Sequence, residues 1–382
     1  MKISCIGSVV VVLISLLTCA AQATCIEVNN VNTPGDASSV FVISQPGSYC
    51  LASNVVGVAG KNGIKIDADN VTLDLAGFGV LGVGNSLSGI VINNHFHIVI
   101  RNGSITGRSS HGLDGASGGL ARIEDLRTDA NGGNGLVINS GSQVNNCVAA
   151  QNTGVGIAVS NDVLVTGCVS SLNGGHGFGL GTACTIKSSL AFGNSGAGIA
   201  PGGVNSLTVI DCNAHTNNGG GIAGPARSLI TSSTAQGNRV VGIATGASST
   251  VSNCNASGNT GDGIIAATGS AVTGCTASAN TGDGIEVDNR CRLEGNTCEG
   301  NGTGRGGGAG IHATSRANRI DGNTAISNDR GIEVNSVGNL VIRNDASLNT
   351  TNYDIAAGNT NANVESPGPN FLLDRPWANF RH

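Results

Sequence analysis

The sequence predicts an all-β chain: a single-stranded right-handed parallel β-helix, a solenoid of about fourteen coils with N- and C-terminal caps. Three observations predict it. Residues 259–267 read NTGDGIIAA and return at 280–288 as NTGDGIEVD, so the chain repeats itself. A glycine–apolar pair recurs at a spacing that is mostly 21 residues, often 23, and 26 in two places. The composition, with 61 glycines, 3% aromatic and 11% charged residues, suits a narrow core of small side chains rather than a broad globular one.

The repeat is anchored on the apolar residue after that glycine: Ile64, Ile90, Leu113, Leu136, Ile157, Phe178, Ile199, Ile222, Ile243, Ile264, Ile285, Ile311 and Ile332, with a degenerate last copy at Ile355. A glycine held at one phase marks a backbone position that needs positive φ or close approach. Five residues before most anchors stands an asparagine, from Asn131 through Asn280, and Asn301, Asn328 and Asn349 continue the series. Asparagine suits a turn, and stacked copies can pass amide hydrogen bonds from coil to coil. Eight residues before each asparagine is an aliphatic, as at Val144, Val165 and Val251. Five before is a small column, Cys147, Cys168, Ser189, Cys212, Ser233, Cys254 and Cys275, which then becomes Asn296, Asn323 and Asn344. Alternation within segments this short, rich in Gly, Asn, Ser, Thr and Val, reads as strands.

The V-x-x-C-x-A-x-x-N spacing also matches the leucine-rich-repeat frame. That rival fails on the other half of the repeat, which returns through G-I-x-V and then Ser, Asn and Gly, as at residues 156–161, with no helical segment. A six-residue sub-period and the calcium-binding G-G-x-G-x-D nonapeptide are absent too, which leaves the right-handed parallel β-helix.

Along the chain, residues 1–23 read as a secretory signal peptide: Lys2, a short apolar run, then Ala21-Gln22-Ala23. A secreted, periplasmic or extracellular location follows, with a lipoprotein signal ending at Cys19 as the alternative. No stretch is long enough for a transmembrane segment. Residues 24–58 are expected to form the N-terminal cap, 59–356 the β-helix and 357–382 a C-terminal cap or tail. The formal net charge is −5 with no basic stripe, so nucleic acid is not an expected partner. Five of the 12 cysteines share one inward column and read as free, buried thiols. Cys25 and Cys50 lie outside it, and an oxidising compartment favours pairing them.

The G-I-x-V and V-x-x-C/N-x-A-x-x-N pattern over residues 60–356 resembles the right-handed β-helix repeat proteins of the pectate-lyase-like superfamily. The resemblance implies polysaccharide as the ligand class. It matches no particular enzyme family. Gly175-His176-Gly177 looks like the Gly-His-Gly of polygalacturonases, but the upstream paired aspartates and downstream Arg-Ile-Lys are missing, and His176 reads as a turn residue. Neither the Arg-x-Pro-x-x-Arg of pectate lyases nor an epimerase Asp-Pro-His is present. His95 and His97 flank Phe96 in what reads as a strand, and without a third ligand no metal site, and no cofactor, is expected.

The outward position after each anchor is small and inert through the middle of the chain, at Ala158, Gly179, Ala200, Ala223 and Ala244. It turns polar near the C-terminus, where Glu286, His312 and Glu333 should stack on successive coils. Asp283 and Asp288 lie on the Glu286 copy, and Asp262 stacks by Asp283. An insertion at residues 302–308, with Arg305, enlarges the coil between them. Two readings follow. One is a non-catalytic β-helix that binds glycan or builds an envelope layer, with these residues a solvated face beside a loop. The alternative is a polysaccharide lyase or glycoside hydrolase acting on uronate-type polysaccharide, using Asp283, Glu286, Asp288, His312 or Glu333 in acid–base roles.

Overall fold

A computed structural model describes residues 25–203, 205–302, 307–366 and 375–382. The expected signal peptide, Arg305 and part of the tail lie outside these residues. Among the described residues there is no helix: short parallel strands wind into a β-solenoid with three faces. One face is a 15-stranded sheet carrying the anchors, from Ser39–Ile43 to Thr351–Ile355. The other two faces belong to one 30-stranded sheet. They are joined where Val99–Thr106 and Arg122–Asp129 run unbroken around the corner between them. One coil shows the plan: Ile157–Val159 on the anchor sheet, then Leu164–Thr166 and Val169–Ser171, and then the next anchor strand Phe178–Leu180.

The anchors stack in register, Ile243 on Ile264 and Ile264 on Ile285. Two ends differ from expectation. Phe41 pairs with Ile64, so a coil precedes the first expected anchor. The last anchor is Tyr353, which pairs with Ile332, and Ile355 pairs with Val334. The final copy has no Gly-Ile, so alignment on that pair slips by two residues. Tyr353 keeps the anchor position because its hydroxyl donates to the carbonyls of Asn344 and Phe380, each at 2.8 Å.

Each corner follows one rule. A single residue adopts the left-handed conformation, as at Asp162 (φ 58°), Gly167 (φ 65°) and Leu172 (φ 55°) in the coil above. The residue after it points inward. Its own N–H runs along the solenoid axis toward the next coil, where the strand has bent away and no carbonyl faces it. Where the inward side chain of the next coil carries an oxygen or sulfur, it supplies the missing acceptor; apolar corner residues such as Val163 and Leu207 do not. At one corner this makes an asparagine ladder: Asn238 Nδ2 donates to Asn259 Oδ1 at 3.0 Å, and Asn259 Nδ2 to Asn280 Oδ1 at 2.9 Å. The backbone N–H of Asn238 donates to the same Asn259 oxygen at 3.0 Å. Since a buried unpaired donor costs about 1–3 kcal/mol, every rung matters. The asparagines therefore do not occupy the left-handed position themselves; the residue before each one does.

The cysteine column serves a second corner. Cys147 N–H points at Cys168 Sγ (3.4 Å), Cys168 N–H at Ser189 Oγ (3.2 Å), and Cys275 N–H at Asn296 Oδ1 (2.9 Å). From Cys147 onward the column carries small side chains with a lone pair, Cys, Ser and Asn, whereas its first member, Leu126, lies where Arg122–Asp129 runs unbroken around the corner. Eight cysteines are free and buried. Cys25 and Cys50 are bonded, with a Cα–Cα distance of 5.7 Å, and tie Ile26–Glu27 onto Gly47–Cys50 at the N-terminal end. At the other end Asn379 enters the second ladder, accepting from Asn344 N at 3.0 Å.

The aliphatic column Val144, Val165, Ile186, Val209, Ile230, Val251 and Val272 is fully buried, as are Ala214, Ala235, Ala256 and Ala277 beside it. The anchor glycines are not at positive φ. A Cβ on Gly242 would stand 2.6 Å from Asn259 Nδ2 and 2.6 Å from the Gly263 carbonyl oxygen, so close approach is what excludes a side chain there. His95 and His97 are not in a strand: His97 turns at φ 59°, and His95 bonds Asp69 across a bend at 2.9 Å.

Candidate functional site

The outward column on the anchor sheet forms as the repeat phase requires. Glu286 stands beside His312, His312 beside Glu333, and Glu333 beside Asp354. A second column, two residues before the anchors, lies next to it. Its histidines, asparagines and aspartates take the backbone N–H of the next coil: Asn134 N–H bonds His111 Nδ1 (2.9 Å), and Ala197 N–H bonds His176 Nδ1 (3.0 Å). His176 thereby joins one coil to the next. Asp262 accepts from Asp283 N at 2.7 Å, and Asp283 Oδ1 from Ala309 N at 2.6 Å.

Asp283 has a second oxygen, and that oxygen joins the columns. His312 Nδ1 donates to Asp283 Oδ2 at 2.7 Å and lies 3.8 Å from Glu286 Oε2. Asn335 Nδ2 donates to His312 Nε2 at 2.8 Å, which fixes the ring on both sides. Arg330 Nη1 donates to Glu333 Oε2 at 3.0 Å, and its Nε lies 3.3 Å from Asp354 Oδ2. Beside Arg330 is an open pocket of about 220 Å³ lined by Gly307, Asp329, Arg330, Thr350 and Thr351. Asp288 stands apart, bonded to Thr268 and Asn289. The expected cluster of Asp283, Glu286, His312 and Glu333 is therefore brought together. Arg330, Asn335 and Asp354 complete it and went unread in the sequence, Asp354 because the last copy was aligned two residues late.

Asp283 is nearly buried, its side chain 9% exposed, while Glu286 is a third exposed at 33%. Burial, then the charges of Asp262 and Asp283, push the Glu286 carboxyl above the ordinary glutamate value. Burial alone would push His312 down. The Asp283 hydrogen bond and the charges of Asp283, Glu333 and Glu286 oppose it, and the imidazole ends above its ordinary value. Burial also raises Asp262. A carboxyl raised above its ordinary value, set beside an Asp–His pair, is an arrangement that acid–base chemistry can use. Asp283, Glu286 and His312 each offer a ligand atom, all within 4.8 Å of one another, and are the residues that could hold a metal ion.

The model of the right handed β-helix region matches residues 88–224 and 181–325, over half of the sequence, and the chain belongs to that family. Comparison with curated protein sequences gives no significant match. Among solved structures it is similar to the A-module of the Azotobacter vinelandii mannuronan C-5 epimerase AlgE4, at 14% identity and TM-score 0.50, covering 83% of this chain and 91% of that one. The A-module of the A. vinelandii mannuronan C-5 epimerase AlgE6 gives 16% identity and TM-score 0.46, with 88% and 89% covered. Pectate lyase Pel9A gives 18% and 0.37, with 56% and 72% covered. At these identities the likeness is one of fold. Among the described residues no helix is long and apolar enough to cross a membrane.

Proposed function

We propose that this protein is a secreted or envelope β-helix that binds polysaccharide along its anchor sheet, with Glu286, His312, Glu333 and Arg330 as the contact residues. One observation carries the reading. In the C-terminal coils the outward column changes from small residues to hydrogen-bonding groups, and Arg330, which bonds Glu333 of that column, lines an open pocket. The solved structures of similar fold named above are epimerases and a lyase of polysaccharides, which supports the ligand class. Carboxylates outnumber cations here, so a neutral glycan suits the face better than a polyuronate. Glycan-array binding tests this. Saturable binding to a neutral polysaccharide, lost in an Arg330→Ala/Glu333→Ala double variant, is the expected result. No binding to any glycan, or binding that this variant retains, defeats it.

A second reading is favoured by the 2.7 Å Asp283–His312 bond and the raised Glu286 carboxyl: acid–base cleavage of a bound polysaccharide, including the uronate type. An assay for new reducing ends or unsaturated products over a polysaccharide panel separates the two. Turnover abolished by Glu286→Gln and His312→Gln supports this reading, and absence of turnover with binding intact removes it.

A further inference from the structure

We propose that Asp283, Glu286 and His312 form a site for one divalent transition-metal cation, a role that stands or falls independently of glycan binding. The three donors come from two consecutive coils in fixed register, Glu286 opposite His312. Their ligand atoms lie within 4.8 Å of one another. A cation with bonds of about 2.1 Å holds its ligands some 3–4 Å apart, so modest side-chain adjustment closes the set.

Charge gives the second argument. Asp283 Oδ2 and Glu286 Oε2 both face the same nitrogen of His312, at 2.7 and 3.8 Å. One proton on Nδ1 can bond only one of them, and it bonds Asp283. Glu286 is left beside two further carboxylates with no cation of its own, since Arg330 is engaged by Glu333 and Asp354. A dication bound by all three groups would neutralise both carboxylates at once.

The surroundings are already fixed as a metal site requires. Asp283 Oδ1 is held by the Ala309 N–H at 2.6 Å, so Oδ2, whose partner is His312 Nδ1, is the oxygen that would ligate once metal replaces that proton. His312 Nε2 has Asn335 at 2.8 Å. With metal on Nδ1 the proton moves to Nε2, and a flipped Asn335 amide offers it an oxygen, the orienting outer partner that ligating histidines usually have. One imidazole and two carboxylates suit zinc, cobalt or manganese. Calcium and magnesium prefer all-oxygen sets. The partial exposure of Glu286 leaves open positions for water.

The test is titration of the tag-free, chelator-treated protein with zinc and with cobalt, followed by calorimetry and by the visible absorbance of cobalt. One saturable site is expected, with cobalt bands showing nitrogen–oxygen ligation. Glu286→Gln and His312→Gln should each lose tenfold or more in affinity, and Asn335→Ala about tenfold. Glu286→Gln changes a partly exposed group and keeps the fold, as far-UV circular dichroism would verify, so its loss of binding reports the site. Absence of saturable binding overturns the proposal. So does a site that all three variants retain, or calcium competing equally with zinc.

Discussion

The coils from Ala158 to Ala244 and those from Glu286 to Asp354 share one backbone. Their strands pair in the same register and the asparagine ladder runs through both. They differ in two places. On the outside, small residues give way to Glu286, His312, Glu333 and Asp354. Inside, the other two corners change as well: Cys and Ser give way to Asn296, Asn323 and Asn344 at one, and to Asn318 and Asn339 at the other. A cysteine accepts one N–H, whereas an asparagine accepts from the previous coil and donates onward. The coils beneath the polar cluster are thus tied by amide ladders at two corners, with Asn318 and Asn339 accepting backbone N–H groups at the third, while the middle coils have one ladder. The outer column is free to vary because the fold does not depend on it. Where it carries interacting groups, the frame beneath is more heavily bonded.

The largest effect should come from breaking that difference at the corners. Asn323→Ala removes the acceptor for Asn296 N–H and Nδ2 and the donor to the Leu293 carbonyl and Asn344 Oδ1. It should cost about 3–5 kcal/mol in denaturant unfolding. Cys168→Ala strands the Cys147 N–H and removes weak thiol contacts to the Val144 and Thr166 carbonyls, and should cost about 1–2 kcal/mol, with Cys168→Ser close to wild type. Equal costs at the two positions would erase the contrast.

Next in size is pH dependence. Both His312 and Glu286 have folded-state values above their ordinary ones of 6.5 and 4.5. A raised value means stability that is present below the ordinary value and lost as pH rises through the folded value. Hydrogen exchange in residues 284–312, corrected for intrinsic rate, should therefore quicken between pH 5 and pH 8. Residues 222–257, which contain no histidine or carboxylate, should not follow. Glu286→Gln and His312→Gln should each flatten the response. A smaller effect is expected from Glu286→Gln itself in metal-free protein: a midpoint raised more at pH 8 than at pH 5. The smallest belongs to Ala223→Glu on the inert face, which should change stability by less than about 0.5 kcal/mol.

Much of this was legible in the sequence because a solenoid writes its geometry as a period. The inward Val, Ala and Cys columns, the coil-to-coil amide bonding and the stacking of Glu286, His312 and Glu333 all follow from phase alone. What phase does not carry is the reach of side chains between columns. Asp283 bonds His312 from a neighbouring column, and Asn335 reaches its ring from the next coil. Nor does phase separate the two roles of a glycine. The anchor glycines are required by neighbours 2.6 Å away, whereas the left-handed corners accept Leu172 and Arg227 as readily as glycine. The last coil was misread because its anchor is a tyrosine held by hydroxyl bonds rather than an isoleucine after glycine.

The two near-identical stretches at 259–267 and 280–288 have a consequence for size. Along the asparagine ladder each rung accepts from the one before and gives to the one after, so one asparagine rung can follow another. Duplicating the 21-residue unit between these stretches should therefore leave the ladder unbroken and lengthen the rod by ~4.8 Å. The three-coil group around His312 travels as an indivisible block, whereas the plain stretch before it is a spacer of adjustable reach.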